Sequence, residues 1–133
     1  MSSIFQKMNL KDQKEIVVLN APPGFQSEVE SLVNVKVLNS LDHITQVDFV
    51  LAFVTLKNDV DAISNIVSKK ARGDAVVWFA YPKGTSKKYK CDFNRDNGWD
   101  VIYRLGFHPV RMVAIDEDWS ALRVRKSEFV KTK

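Results

Sequence analysis

The chain has 133 residues, a formal net charge of +4, 45% hydrophobic residues and 27% charged residues. This length predicts one domain, residues 1–133, and the composition excludes disordered and fibrous proteins. The apolar runs are shorter than a membrane span, and the first residues lack the apolar stretch of a signal peptide, so we expect a cytoplasmic protein. With the single Cys91 and two histidines, neither an internal disulfide nor a Cys/His zinc cluster can form.

The first part of the chain alternates apolar strands with helical patterns. The predicted elements are a helical turn within 3–10, a strand at 16–19, a helix around 25–33, a short strand at 35–38, a strand at 49–54, a helix at 58–72 and a strand at 75–80. The longest apolar runs do not alternate with polar residues, which is typical of strands buried on both faces of a parallel sheet. Asn58 or Asp59 is predicted to cap the longer helix, and Gly73 to end it in a left-handed conformation. Val33 and Ile66 fall on the predicted apolar sides of the two helices.

The last part of the chain predicts a helix followed by a hairpin. The predicted elements are a helix that begins at Asn94 and ends before Gly106, strands at 110–115 and 119–125, and a loose basic tail at 126–133. Trp99 and Tyr103 lie on the apolar side of the helix, and the acidic connection 116–118 is short enough to require an antiparallel hairpin. The whole pattern predicts a three-layer, Rossmann-like α/β domain with a mostly parallel sheet and a C-terminal antiparallel hairpin.

The loops that follow the predicted parallel strands meet at one edge of the sheet, where open α/β sheets bind ligands. We therefore expect a site between residues 20–24 and residues 81–96. Residues 81–133 hold 12 basic and 7 acidic residues, a balance of +5, and several lysines fall in the second of these loops. This charge predicts a phosphate-bearing or other anionic ligand. The candidate binding residues are Asn20, Gly24, Tyr81, Lys83, Ser86, Lys87, Lys88, Asp92, Arg95 and Asp96.

The candidate residues have distinct roles in this interpretation. Lys83, Lys87 and Lys88 supply charge, Ser86 supplies a hydroxyl, and Arg95 supplies a planar fork of donors. The helices that start near these loops add the positive ends of their dipoles. Because no residue pattern predicts a metal site or identifies a catalytic group, the chain is predicted to be a binding or regulatory domain rather than an enzyme.

Other interpretations of the same residues stay open. The lysines equally fit a solvated loop. Tyr81 and Tyr89 flank them and suit stacking in a single-stranded nucleic-acid site. Asp92 or Asp96 is a candidate base for a group-transfer enzyme. An edge strand of the predicted hairpin is a candidate surface for pairing with a protein partner.

Three segments carry distinctive combinations of residues. They read NAPPGF at residues 20–25, WFAYPK at residues 78–83 and DEDWSALR at residues 116–123. Together they resemble a family of small bacterial proteins known only as a domain of unknown function, over roughly residues 4–125. In that resemblance the basic loop contributes Ser86, Asp92 and the pair Arg95 and Asp96. The family has no assigned activity, so the resemblance implies a fold and the place of a site but no reaction.

The order of the later elements is similar to the latter half of an S-adenosylmethionine-dependent methyltransferase. This similarity implies S-adenosylmethionine as a cofactor and an active or degenerate methyltransferase-like protein. Those enzymes resemble one another in a glycine-rich first loop and an acid that ends the second strand, whereas this chain has Pro22 and Pro23 in that loop and Asn39 after its second strand. No cofactor is evident from the residues alone.

The main hypothesis from the sequence is therefore a small domain that binds an anionic ligand at the carboxyl edge of its sheet. A methyltransferase-like protein is the first alternative. A module that binds nucleic acid through the basic loop, or that binds a protein partner, is the second. No membrane partner is expected.

Overall fold

A computed structural model describes residues 3–11, 13–42, 44–84, 86–90, 92 and 99–129. Its helices are α1 (Ser3–Lys7), α2 (Gln26–Glu30), α3 (Lys57–Lys70) and α4 (Asp100–Arg104), and its strands are β1 (Glu15–Leu19), β2 (Lys36–Leu38), β3 (Val47–Phe53), β4 (Ala71–Pro82), β5 (Phe107–Ala114) and β6 (Trp119–Lys126). Short 3₁₀ turns occupy Pro23–Phe25 and Ser127–Phe129. Cys91, Asn94, Arg95 and Asp96 lie outside the described residues.

The six strands of the described chain form one sheet in the order β2-β1-β3-β4-β6-β5. Strands β2, β1, β3 and β4 are parallel to one another, β6 is antiparallel to β4, and β5 is antiparallel to β6. The predicted mixed sheet with a C-terminal antiparallel hairpin is therefore confirmed. From β1 the chain first moves outward to β2 and then returns to the other side of β1 to form β3. This reversal makes the gap between β1 and β3 the point where the winding of the sheet switches direction.

Apolar side chains cover both faces of the sheet, which explains why the central strands lack alternation. On one face, α3 and α4 contribute Val60 and Ile102 to a core that also contains Trp99. On the other face, Phe5 of α1 and Met8, the residue after α1, join a core that contains Trp78. The indole Nε1 of Trp78 donates a 2.8 Å hydrogen bond to the carbonyl of Met8. This bond satisfies the indole N–H inside the core and fixes the end of α1 above β4.

The ends of several elements differ from the sequence prediction. Helix α3 begins at Lys57 after Leu56, and neither Asn58 nor Asp59 caps it with its side chain. Gly73 has the predicted left-handed φ of 55°, but it lies inside β4, because that strand starts immediately after α3 at Ala71. The prediction of Gly73 as the helix terminator was therefore wrong, although its backbone conformation was correct.

Three predicted core residues are exposed. Val33 is 66% exposed because α2 ends at Glu30, before the helix can bring Val33 round to the sheet. Ile66 is 37% exposed and Tyr103 is 53% exposed, since α3 and α4 each turn only part of their apolar residues toward the sheet. Gly106 does end α4 with a left-handed φ of 87°, as predicted.

The chain after β6 continues to pack against the domain. The N–H of Ser127 donates a 2.8 Å hydrogen bond to the carbonyl of Gly106, and Lys126 donates through Nζ to the carbonyl of Ala71. The first residues of the predicted loose tail are thus tied to the fold, while residues 130–133 lie outside the described chain. None of the described helices is both long enough and apolar enough to cross a bilayer.

Candidate functional site

The switch point between β1 and β3 is the first place where the fold itself offers a ligand site. Asn20 follows β1 directly and has a left-handed φ of 58°. Its side-chain Nδ2 donates a 3.4 Å hydrogen bond to the carbonyl of Phe53, the last residue of β3. The segments after β1 and β3 then lead to α2 on one face of the sheet and to α3 on the other. The two carboxyl ends therefore bound a crevice at the edge of the sheet.

A cleft of about 1770 Å³ runs along β1 and β2, from the amino ends of the strands near Glu15, Asp48 and Asp74 to this crevice at their carboxyl ends. Near the carboxyl ends it is lined by Asn20, Ala21, Val29, Leu38, Asn39 and Ser40. At this end, amide and hydroxyl groups stand beside apolar side chains, a combination that small-molecule sites use, whereas the rest of the cleft has a more polar and charged lining. Asn39 and Ser40 were not among the binding residues predicted from the sequence. Their position directly after the second strand was the available signal for them.

The loop after β1 offers few backbone donors. Pro22 and Pro23 have no N–H, and the N–H of Phe25 is already used in a 2.9 Å hydrogen bond to the carbonyl of Pro22. Gly24, a predicted binding residue, is exposed, and a Cβ placed on it would meet no atom within 4 Å. No close contact in the described chain therefore requires glycine at this position.

The segment after β4 is held against the turn of the β5–β6 hairpin. The hydroxyl of Ser86 donates a 2.9 Å hydrogen bond to Oδ1 of Asp118 and accepts hydrogen bonds from the N–H groups of Lys88 and Tyr89. The N–H of Lys83 donates to the carbonyl of Asp118 at 2.8 Å. The Ser86 hydroxyl, which the sequence suggested as a ligand group, is thus engaged within the protein. Lys87 and Lys88 remain exposed at the surface.

The two halves of the predicted site lie on the same side of the sheet but are separated by aromatic rings. Phe25 contacts Phe53 with ring centroids 4.9 Å apart, and Phe53 contacts Trp119 at 5.1 Å. Trp119 in turn contacts Tyr89 at 4.8 Å. Two rings therefore stand between the loop after β1 and the lysine segment, and the structure does not bring Asn20 together with the lysines.

Tyr81 belongs to the core rather than to the surface of the lysine segment. Its ring is 5% exposed and meets the ring of Trp99 edge-on at 5.6 Å. Its hydroxyl lies 3.6 Å from the sulfur of Met112. This orientation turns the ring of Tyr81 away from the carboxyl edge where a ligand was expected.

Asp92 reaches back to the crevice and occupies the start of α3. Its Oδ1 accepts a 2.6 Å hydrogen bond from the N–H of Lys57, and its own N–H donates a 3.1 Å hydrogen bond to the carbonyl of Thr55. The carboxylate thus satisfies a free N–H at the positive end of the helix. The sequence predicted an anion at this helix start. The structure shows that the protein places one of its own carboxylates there.

The side chain of Lys57 extends to two acidic residues. Its Nζ lies 3.2 Å from the carboxylate of Asp61 and 3.5 Å from that of Asp100. The hydrogen bond to Asp61, helped by the charge of Asp100, raises the pKa of Lys57 above its ordinary value. These acids are committed to Lys57, and across the described part of the chain no group of three or more potential metal ligands converges.

Arg95 and Asp96, the remaining predicted site residues, lie outside the described chain. The structure otherwise places Asn20 and Gly24 at the switch point, and Lys83, Ser86, Lys87 and Lys88 beside the hairpin turn. Asp92 connects the two regions through its contacts with the start of α3.

A scan against protein-family models and a search of curated protein sequences found no match. The resemblance to the family of unknown function thus has no matching family model behind it and stays a prediction.

Several solved structures, among them a methyltransferase and a methylase, share the fold. A SAM-dependent methyltransferase from Aquifex aeolicus aligns with a TM-score of 0.65 and 13% identity, over 92% of this chain and 87% of its own. The ribosomal protein L11 methylase from Lactobacillus delbrueckii subsp. bulgaricus aligns with a TM-score of 0.60 and 8% identity, over 92% and 76%. The Methanococcus jannaschii fibrillarin pre-rRNA processing protein aligns with a TM-score of 0.56 and 10% identity, over 88% and 68%.

At these identities the similarity shows the fold, which is that of the Rossmann-like methyltransferases. The sequence had suggested a similarity only to the latter half of a methyltransferase. The structural alignment instead covers 92% of this chain and 87% of the Aquifex aeolicus enzyme.

Proposed function

We propose that this protein is methyltransferase-like and binds S-adenosylmethionine, or a related adenosine-containing ligand, in the cleft beyond the carboxyl ends of β1 and β2. One observation carries the proposal. A cleft opens at the switch point of a sheet whose architecture is shared with a SAM-dependent methyltransferase over 92% of the chain. The proposal therefore takes the first alternative of the sequence analysis over its main hypothesis.

The residues of the cleft fit the adenosyl part of such a ligand. Asn39 offers an amide oxygen and an amide N–H₂, and Ser40 offers a hydroxyl, so both can exchange hydrogen bonds with ribose hydroxyls. Ala21, Val29 and Leu38 provide apolar surface for a purine ring. The methyltransferases resemble one another in having an acidic residue at the end of the second strand, whereas this chain has the neutral Asn39 there. We therefore expect weaker ribose binding than a carboxylate gives.

The fit to the charged amino-acid end of S-adenosylmethionine is poorer. Pro22 and Pro23 remove two N–H groups from the loop after β1, and Phe25 has already used its own. When bound, S-adenosylmethionine supplies an activated methyl group. The contribution that this chain's residues support is recognition of the adenosyl group.

Two contacts weaken the alternative of an anion held at the carboxyl edge. Asp92 already occupies the start of α3, and a second negative group there would meet this carboxylate. The hydroxyl of Ser86 is committed to Asp118 and to two backbone N–H groups. A small anion that bound at the start of α3 or at the hydroxyl of Ser86 would have to displace bonds that the fold itself uses.

Ligand binding can be tested by calorimetry and thermal melting with S-adenosylmethionine, S-adenosylhomocysteine and adenosine. A ligand at about 100 times its Kd adds roughly 2.7 kcal/mol of stability and should raise the Tm by about 10 °C. We expect Asn39→Ala to weaken binding of all three ligands about tenfold, the effect of losing about one hydrogen bond.

Asn58→Ala is the matched control, because Asn58 is an exposed asparagine at the start of α3 that does not line the cleft. It should leave the affinity unchanged. Absence of a thermal shift with all three ligands, or equal losses in the two variants, would reject the proposed site.

A further inference from the structure

Three arginines share the face of the β5–β6 hairpin that lies on the α1 side of the sheet. In β6 the side chains of Leu122 and Val124 enter the core beneath α3 and α4, so Arg123 and Arg125 point to the opposite face. Arg111 on β5 is the register partner of Arg123. Directly opposed residues of antiparallel strands project on the same face with Cβ atoms about 4.5–5.5 Å apart. The two guanidinium groups therefore arise from neighbouring points on one surface.

Only one of these arginines has a carboxylate partner in the described chain. Arg125 binds Asp74 through two hydrogen bonds, from Nε at 2.8 Å and from Nη2 at 2.5 Å. Both carboxylate oxygens of Asp74 are thereby used. The side chains of Arg111 and Arg123 make neither a hydrogen bond nor an ion pair with any described residue, and the buried Nε of Arg123 has no partner.

The position of Arg123 is unfavourable in the protein alone. It is partly buried beside Trp78, its register partner on β4. Burial lowers the pKa of Arg123, and the like charges of Arg125 and Arg111 act in the same direction, while the charge of Asp74 partly opposes them. A buried donor without an acceptor and two like charges on opposed residues both cost stability. An apolar side chain would avoid both costs at this position.

We propose that Arg111 and Arg123 form a binding site for the phosphate groups of a nucleic-acid backbone. Arginine presents a planar fork of N–H donors that matches a phosphate, and the terminal Nη groups of Arg111 and Arg123, unlike the buried Nε of Arg123, are the donors that a phosphate oxygen can reach. The surface reaches the outermost strand, β5, where Arg111 is exposed, while Arg123 and Arg125 on β6 are partly exposed. An open face without walls suits a polymer with repeated phosphates better than an enclosed small anion.

The charge of this part of the chain agrees with a polyanionic ligand. Residues 81–133 have a balance of +5, whereas residues 1–80, with 8 basic and 9 acidic residues, have a balance of −1. Arg123 on β6 lies two strands, about 10 Å, beyond β3, and Arg111 on β5 lies three strands, about 14 Å, beyond it. The far end of the cleft reaches Asp74, the partner of Arg125, but the end proposed for the adenosyl ligand, near Asn39 on the other side of the sheet, is separate from the arginine pair.

The test is binding of a fluorescent single-stranded oligonucleotide of about 12 nucleotides, followed by anisotropy between about 50 mM and 200 mM salt. Arg111→Gln and Arg123→Gln should each weaken binding about tenfold and lower the slope of log K against log salt by about 0.7, the contribution of one phosphate contact. Arg104→Gln makes the same charge change at an exposed arginine of α4 and should alter the affinity less than twofold.

A second variant separates a binding role from a structural one. Arg123→Met removes the unpaired donor and the repulsion from Arg111, so its Tm should equal or exceed that of the parent while oligonucleotide binding falls. A lower Tm would show that Arg123 supports the fold and would overturn the proposal. So would equal losses in the Arg104 control and the two site variants, absence of oligonucleotide binding at low salt, or binding of inorganic phosphate alone.

Discussion

The carboxyl edge of the sheet and the arginine face of the hairpin differ in whether their polar side chains have partners within the protein. At the edge, the polar groups of Ser86 and Asp92 are paired with other parts of the chain. On the hairpin face, Arg111 and Arg123 stand opposite each other without a partner among the described residues. Both regions carry charge, and both looked alike in the sequence as stretches rich in lysine and arginine.

The difference indicates which charges build the fold and which remain available. An intramolecular hydrogen bond offsets part of the free energy needed to bury a polar group. A partly buried arginine without such a bond keeps that cost until a ligand removes it. The contacts of a side chain are thus a better guide to a ligand site than the density of charge in the sequence.

The largest expected effect comes from removing the ring that supports the carboxyl edge. Trp119 is 4% exposed and lies between Phe53 and Tyr89. Trp119→Ala should lower the free energy of unfolding by about 3–5 kcal/mol, measured by urea denaturation. Tyr103→Ala removes an aromatic ring that is 53% exposed and should cost less than about 1 kcal/mol. Similar losses of stability in the two variants would contradict a structural role for the row of contacting rings that contains Phe53, Trp119 and Tyr89.

A smaller effect is expected where a single carboxylate satisfies the start of α3. Asp92→Ala leaves the N–H of Lys57 without its acceptor and should cost about 1 kcal/mol in urea denaturation, as for a lost helix cap. Asp92→Asn keeps an acceptor oxygen and should retain most of the stability. Glu117→Ala controls for the loss of one negative charge at an exposed site. If it destabilises the protein as much as Asp92→Ala, the contact with α3 is not the cause.

The smallest effect concerns the one arginine of the hairpin face that is paired. The hydrogen bonds from Arg125 hold the pKa of Asp74 below its ordinary value of 3.8. The folded state therefore favours the ionised carboxylate, and its stabilising effect is present above about pH 4 and is lost as the pH falls through the lowered pKa. Because the pair is partly exposed to solvent, Asp74→Asn should cost only about 0.5 kcal/mol at pH 7.

Urea denaturation of the parent and of Asp74→Asn over a series of pH values measures this difference. The two proteins should become equally stable once the pH lies below the lowered pKa of Asp74. A difference that persists unchanged in acid would contradict the assignment to this ion pair. Asp74→Asn also frees Arg125, so it should strengthen oligonucleotide binding if the face binds phosphate.

Much of the fold was predictable because it depends on local patterns. The apolar runs of β3 and β4, the helix between them and the glycine at the end of α4 each follow from a few adjacent residues. Helix ends were less predictable, since α2 stops before Val33 and α3 begins without a side-chain cap of its own. The acceptor at the start of α3 comes from Asp92, 35 residues away, and no local pattern identifies it.

The sequence by itself determined the class of the protein, a mixed α/β sheet closed by an antiparallel hairpin, because hydrophobic patterning and turn residues act over short distances. It also placed Asn20 at the edge where ligands bind. Only the tertiary structure decided which polar groups pair with one another, since Ser86 with Asp118, Asp92 with Lys57 and Arg125 with Asp74 are brought together by folding. Because of those long-range contacts we propose a ligand in the cleft beside Asn39 rather than at the lysine segment, and the side chains of Arg111 and Arg123 have no partner among the described residues.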